Sequence, residues 1–230
     1  MTDGRRASSI VVVSGVRPHA DPWHALDATS SEVATLIADL GDVRVTTTAE
    51  TGSWADADLL IVNAGGDLET PAPQSRAQVD AILRHHRAGR PLMAFHSATL
   101  AFRDDRRWSD VLGGRWVPGV TMHPQIGHAL IQACAGSPQS APAVAADFLL
   151  YDERYTALEV GDDVEVLAFH TEDGRKHPLI WWRAARDGHG AVAYDALGHG
   201  VESFASVGHR EWIRSCVTSL LGEPLREGGG

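Results

Sequence analysis

Histidine is the residue type through which this chain could do chemistry. There are twelve, and several stand beside glycine or proline: His96 in Phe95-His96-Ser97-Ala98, His123 in Met122-His123-Pro124, His177 before Pro178 and His199 after Gly198. A neutral imidazole binds a metal through one nitrogen, and a titrating one moves protons near neutral pH. Glu153, in Asp152-Glu153-Arg154-Tyr155, adds a carboxylate suited to either task. His96, His199 and Glu153 are therefore the candidate acid/base groups. His24, His96 and His199 are candidate ligands for a divalent metal such as zinc. His24, Asn63, Gly65, Ser97 and His123 are candidates for holding a small polar ligand. No local metal signature such as His-Glu-x-x-His is present, so only the fold can bring these residues together.

Each candidate also has a plain structural reading. His96 can be a buried ring bonded to backbone, His199 a loop residue, His24 a surface residue at a helix start, and His123 part of a turn. Glu153 can pair with Arg154 or another arginine, and a tight turn alone accounts for Asn63 and Gly65. His177 reads as a strand start leading into core tryptophans. His85 and His86 are expected on the exposed side of a helix end, where they favour the helix dipole. His189 and His209 are expected at the surface.

Other chemistries lack their residues. The two cysteines, Cys134 and Cys216, form no metal spacing or disulfide framework and read as small core side chains. Ser14-Gly15-Val16-Arg17 is not a dinucleotide fingerprint, and no G-x-S-x-G elbow is present; no nucleotide cofactor is expected. The formal net charge is -10, with no basic stripe for nucleic acid. The longest apolar runs are too short for a membrane span or a signal-peptide core. Together with the cysteine usage, this leads to an expectation of a cytoplasmic protein. Base rates allow a homo-oligomer.

The elements that must position the histidines follow from hydrophobic patterning. Ile10 to Val13, Val43 to Thr48, Asp58 to Asn63 and Pro91 to Phe95 read as strands. His24 to Leu40 and Pro71 to Arg87 read as helices. After residue 113 the strand-like runs are Ala145 to Leu150, Val164 to Phe169, Leu179 to Trp182 and Ala191 to Tyr194; Gly208 to Leu221 reads as a last helix. This alternation predicts an α/β fold: a flavodoxin-like, doubly wound, mostly parallel sheet with helices on both faces and an antiparallel extension. The whole chain, 1–230, reads as one domain, with flexible tails at 1–8 and 224–230. Ligands of such sheets bind outside the carboxyl ends of the strands. Ser14-Gly15, Asn63-Gly65 and His96-Ser97 all stand at such ends, so they are expected to converge.

The order of these motifs resembles the trehalose-utilisation (ThuA-like) family. Phe95-His96-Ser97-Ala98, His123-Pro124, Asp152-Glu153-Arg154-Tyr155, His177-Pro178-Leu179-Ile180-Trp181 and Ala196-Leu197-Gly198-His199 carry the resemblance, which runs from about Ile10 to Leu221. The turn before His96 departs from the pattern, because Met93-Ala94-Phe95 lacks the family's glycine. The family in turn resembles class I glutamine amidotransferases, which carry a cysteine nucleophile on a sharp strand-to-helix turn. The resemblance places His96 at that turn, with His199 and Glu202 near the amidotransferase histidine. It implies a retained scaffold without the thiolate chemistry, and an enzyme acting on a carbohydrate or other polyhydroxy compound by histidine acid/base or metal-assisted chemistry. A non-catalytic ligand-binding or regulatory module on the same scaffold is the alternative.

Overall fold

Ile10-Val11-Val12-Val13 is fully buried, because strand β1 (Ser9–Ser14) lies inside a sheet covered on both faces. The structure is a computed structural model that describes residues 6–70, 74–135 and 141–222. The expected tail at 224–230, most of the one at 1–8 and the expected helix start at Pro71 fall outside these residues. Strand β1 is flanked in parallel by β2 (Asp42–Thr47) and β3 (Leu59–Asn63). Strand β4 (Leu92–Phe95) follows β3 in parallel.

Among the described residues, one nine-stranded sheet has the order β2-β1-β3-β4-β11-β10-β9-β6-β7. Its first five strands run parallel, ending at β11 (Val192–Asp195). Beyond β11 the pairing turns antiparallel through β10 (Arg175–Arg183), β9 (Glu165–Glu172), β6 (Gly127–Ala133) and β7 (Phe148–Asp152). Strand β7 alternates buried and exposed residues, as an edge strand with one wet face does. A two-stranded ribbon joins β5 (Gly114–Arg115) to β8 (Glu159–Val160). The helices are α1 (Leu26–Leu36), α2 (Arg76–Arg87), α3 (Arg106–Leu112) and α4 (Val207–Leu220). None of the described helices is long and apolar enough to cross a membrane. The fold is thus mixed α/β, parallel at one end of the sheet and antiparallel at the other.

Sequence patterning misses helix α3 and strands β5, β6 and β8, and misjudges three histidines. Helix α3 is capped by Asp105, which accepts from the Arg107 amide at 3.2 Å, and stops at Gly113 with φ 77. Strand β6 hides in a glycine-rich stretch. The helix expected to reach Leu40 ends at Leu36, where three-residue turns such as Leu40 N–H to the Ile37 carbonyl tighten the chain. His85 and His86 are buried rather than exposed. The end of α2 packs beside the start of β4, so His85 Nε2 bonds the Pro91 carbonyl at 2.9 Å, and His86 lies against His189. Burial, with His189 and Arg183 beside it, pushes His86 down to about 4.

His209 is the third correction. It is 0% exposed, with Nε2 3.0 Å from Asp195 Oδ2 and Nδ1 3.0 Å from Ser203 Oγ. This serine-histidine-aspartate chain is sealed in the core, where no substrate can reach it. Burial opposes the ring's charge, but the Asp195 carboxylate outweighs burial and raises the His209 pKa above its ordinary value. The pair's stabilisation is therefore complete below about pH 6.5, the ordinary histidine range, and is lost as pH rises through the raised folded-state value. The stability gap between the native protein and a His209→Asn variant should be widest in mildly acid buffer and should shrink toward alkaline pH. Thermal denaturation across that range measures it, and a gap independent of pH would mean that the buried ring is neutral.

Candidate metal centre

His96 is the first residue after β4, and it turns the chain sharply. Its φ of 40 places a residue with a Cβ in the left-handed region, where strain of about 1 kcal/mol or more is stored. Contacts from the β11 side hold it there. The Tyr194 hydroxyl donates to the His96 carbonyl at 2.7 Å, and His96 Nδ1 lies 2.7 Å from the carbonyl oxygen of Ala196. The imidazole stacks on Tyr155 with 4.5 Å between ring centroids.

His24 stands just ahead of α1 and is aimed by Asp21. One oxygen, Asp21 Oδ1, accepts from the Trp23 amide at 3.0 Å, from the His24 amide at 3.0 Å and from His24 Nδ1 at 2.7 Å. Gly65 makes room for this turn, since a Cβ there would lie 2.6 Å from Asp21 Oδ2. Burial works against the Asp21 carboxylate, but the His24 hydrogen bond and charge and the two amides together hold it below the usual carboxylate range. His24 itself is lowered, chiefly by burial.

Glu153 and His199 are placed by Asp152, the last residue of β7. Asp152 is 1% exposed. Its carboxylate accepts from the amides of Glu153 at 2.8 Å, Gly198 at 2.7 Å and His199 at 3.1 Å. A single side chain thus ties the far end of the sheet to the loop after β11.

These three arrangements converge. His24 Nε2 is 3.1 Å from His96 Nε2, which is 3.3 Å from Glu153 Oε2. His199 Nδ1 is 3.5 Å from the same Glu153 oxygen. Among the described residues, one ligand atom from each of His24, His96, Glu153 and His199 lies within 4.8 Å of the others. Burial opposes the charge on Glu153, yet hydrogen bonds from His199 and His96 and the nearby imidazole charges hold it well below the carboxylate range. The hydrogen bond that His199 gives to the Glu153 carboxylate, with that carboxylate's charge, raises the His199 pKa against burial. His123 reaches the other carboxylate oxygen, with Nδ1 3.1 Å from Glu153 Oε1 and a side chain 41% exposed. The cluster opens into a cavity of about 490 Å³, walled in part by Trp23, Leu68, Leu100, Trp116 and Tyr155.

Of the sequence-predicted residues, His24, His96, His123, Glu153 and His199 come together. Asn63, Gly65 and Ser97 do not line the cavity. Asn63 Nδ2 is spent on α1, bonding the Leu26 carbonyl, Thr29 Oγ1 and Ser30 Oγ. The Gly65 amide bonds the His19 carbonyl, and Ser97 Oγ donates to the Ala64 carbonyl. The convergence expected at the strand ends holds for the backbone, while these polar groups hold the turns. Arg154 pairs with Glu172 rather than Glu153. Sequence reasoning gave no role to Asp21, Asp152 or Tyr155. Only Asp21 carried a signal, as an aspartate three residues before His24 in a proline-bearing turn ahead of a helix.

Replacing Asp152 by Ala leaves three amides short of a charged acceptor and should cost about 2–4 kcal/mol of stability. Urea denaturation would measure it, and a loss under about 0.5 kcal/mol would mean that the amides find other partners.

Comparison with known proteins follows the same lines. The family model described as trehalose utilisation (ThuA) matches residues 11–218. A ThuA-like protein from Parabacteroides merdae is 12% identical with a TM-score of 0.74, the match covering 97% of this chain and 93% of that one. One from Bacteroides uniformis is 15% identical with a TM-score of 0.71, over 96% and 94%. The cold-adapted β-galactosidase of Rahnella sp. R3 is 13% identical with a TM-score of 0.63, over 95% of this chain and 31% of that one. At these identities the likeness is one of fold alone. No curated protein matches the chain.

Proposed function

The chain belongs to the trehalose-utilisation (ThuA) family, and from that premise we propose an enzyme of carbohydrate utilisation that works through a divalent metal ion on His24, His96, Glu153 and His199. The observation that carries this reading is the meeting of bare nitrogens. Asp21, an ionised acceptor, requires the proton of His24 on Nδ1. The Ala196 carbonyl, which can only accept, requires the proton of His96 on Nδ1. When neutral, both rings present lone pairs at Nε2, 3.1 Å apart, with a carboxylate oxygen 3.3 Å from one of them. Acceptors packed face to face repel unless a cation sits among them. A tetrahedral ion with bonds of about 2.0–2.1 Å sets its ligand atoms about 3.3 Å apart, which suits these spacings. His199 Nδ1, buried and facing Glu153 Oε2 at 3.5 Å, would exchange that contact for a metal bond. A carboxylate or carbonyl on the second nitrogen is also the usual outer support of a metal-bound histidine.

The amidotransferase-like scaffold fits this reading. The strand order β2-β1-β3-β4-β11 supports a flavodoxin-like, doubly wound core. The sharp turn after β4 carries His96 where those enzymes carry cysteine. Cys216 is buried in α4 and Cys134 follows β6, which argues against a thiolate route. A bound divalent ion would supply Lewis-acid polarisation of a substrate oxygen or a more acidic bound water. The chain's own contribution is orientation: Asp21 and the Ala196 carbonyl fix two rings, and Asp152 fixes the backbone of Glu153 and His199. His123, outside the four ligands and open to the cavity, is placed to hold or move a proton at Nε2. The carbohydrate class of the substrate rests on the family's description.

Elemental analysis of the purified protein should find one divalent ion per chain. His96→Ala and His199→Ala should lose it. Asp21→Asn, which keeps all four ligands, should weaken metal affinity about 10–100-fold. Protein that stays metal-free after exposure to zinc, manganese and iron would overturn the metal reading and leave a shared proton between the histidines, acting in acid/base chemistry.

A further inference from the structure

We infer that the cavity above this centre takes an uncharged, ring-shaped polyhydroxy ligand and rejects its phosphorylated or carboxylated counterpart, an inference that rests on the functional reading of the site given above. Two indoles border the cavity. Trp23 is 56% exposed, although its amide is pinned by the same Asp21 oxygen that aims His24. Trp116 is half-buried and packs edge-on against Tyr155, the ring that stacks on His96, with 4.9 Å between centroids. The aromatic wall and the histidine cluster are therefore one packed unit. An indole face suits the C–H face of a saturated ring, while the ring's hydroxyl rim needs acceptors. Glu69 and Glu153 supply them.

Charge then selects among such rings. Among the described residues, no lysine or arginine lines this cavity. A divalent ion brings two positive charges against the three carboxylates of Asp21, Glu69 and Glu153, so the site keeps a negative balance even when loaded. A phosphate or carboxylate entering it would meet that negative balance with no lysine or arginine of the cavity to pair it, and like-charge juxtaposition costs several kcal/mol. Arg103, Arg106 and Arg115 border a separate cavity of about 260 Å³ across Leu68, Leu100 and Trp116. There Arg103 is spent on the Asp67 and Thr70 carbonyls, and Arg115 on Glu159.

Calorimetric titration of metal-loaded protein with glucose, glucose 6-phosphate, trehalose and trehalose 6-phosphate tests the inference. Each free sugar should bind at least about tenfold tighter than its phosphate. Trp116→Ala should weaken the free sugars about tenfold, a modest loss for a stacking wall, while metal content stays unchanged. Glu69→Lys, an exposed substitution, should narrow the gap between sugar and phosphate. Phosphates that bind as tightly as the free sugars would overturn the inference, and so would the failure of both free sugars to bind, with or without metal. Sugars that keep this preference in protein unable to hold metal would uphold it while refuting the metal reading.

Discussion

The three amide bonds to Asp152 are the constraint on which the site depends. His24 and His96 come from the parallel half of the sheet, at strand ends where such sheets gather ligands. Glu153 comes from the opposite, antiparallel edge. Nothing in strand pairing alone holds the last residue of β7 against the loop after β11, because three strands, β10, β9 and β6, lie between β11 and β7 in the sheet. A buried carboxylate accepting from Glu153, Gly198 and His199 closes that gap. Charge-assisted bonds to backbone are among the stronger polar interactions in proteins, and here they fix the backbone of two cluster residues, Glu153 and His199, with one side chain.

The second constraint is the strained turn at His96. A residue with φ near 40 persists only where its surroundings over-determine it. Here the Tyr194 hydroxyl holds its carbonyl, the Ala196 carbonyl holds one ring nitrogen, and Tyr155 covers the ring face. That geometry projects the His96 imidazole toward the centre of the cluster.

The central strands β1, β3 and β4 were legible because they are buried on both faces and read as unbroken apolar runs. The antiparallel half was less so. Strand β6 alternates and sits among glycines, and α3 is only seven residues long, too short to show a periodic face. His24, His96, His123, Glu153 and His199, which the fold brings together, were legible as histidines and a glutamate in loops. The partners of Asn63, Gly65 and Ser97 could not be read from sequence, because a polar residue at a strand end looks the same whether it faces a cavity or ties down a helix. Asp21 and Asp152 act through other residues, and sequence carries no mark of which carboxylate will find which amide. The burial of His85, His86 and His209 was illegible for a related reason: each is tolerated in the core through a contact made only in the fold, Pro91 for the first, His189 for the second, Asp195 for the third.

Those same histidines show what separates a structural ring from a chemical one. His85 and His170 each bond a backbone carbonyl through Nε2 and leave Nδ1 buried without a partner. Such a nitrogen is isolated, so it costs desolvation once and couples to nothing. His209 goes further, committing Nε2 to Asp195 and Nδ1 to Ser203. At His24 and His96, by contrast, the outer nitrogen is bound and the inner one is aimed at another acceptor. Repulsion between two lone pairs and a carboxylate in a half-desolvated cleft grows as the dielectric falls, so the arrangement is unfavourable in itself. It becomes favourable only when a positive charge, proton or metal, occupies the space the acceptors share. Burial of histidine is thus not the signal of chemistry in this fold; the signal is burial in which the remaining lone pairs have been turned toward one another.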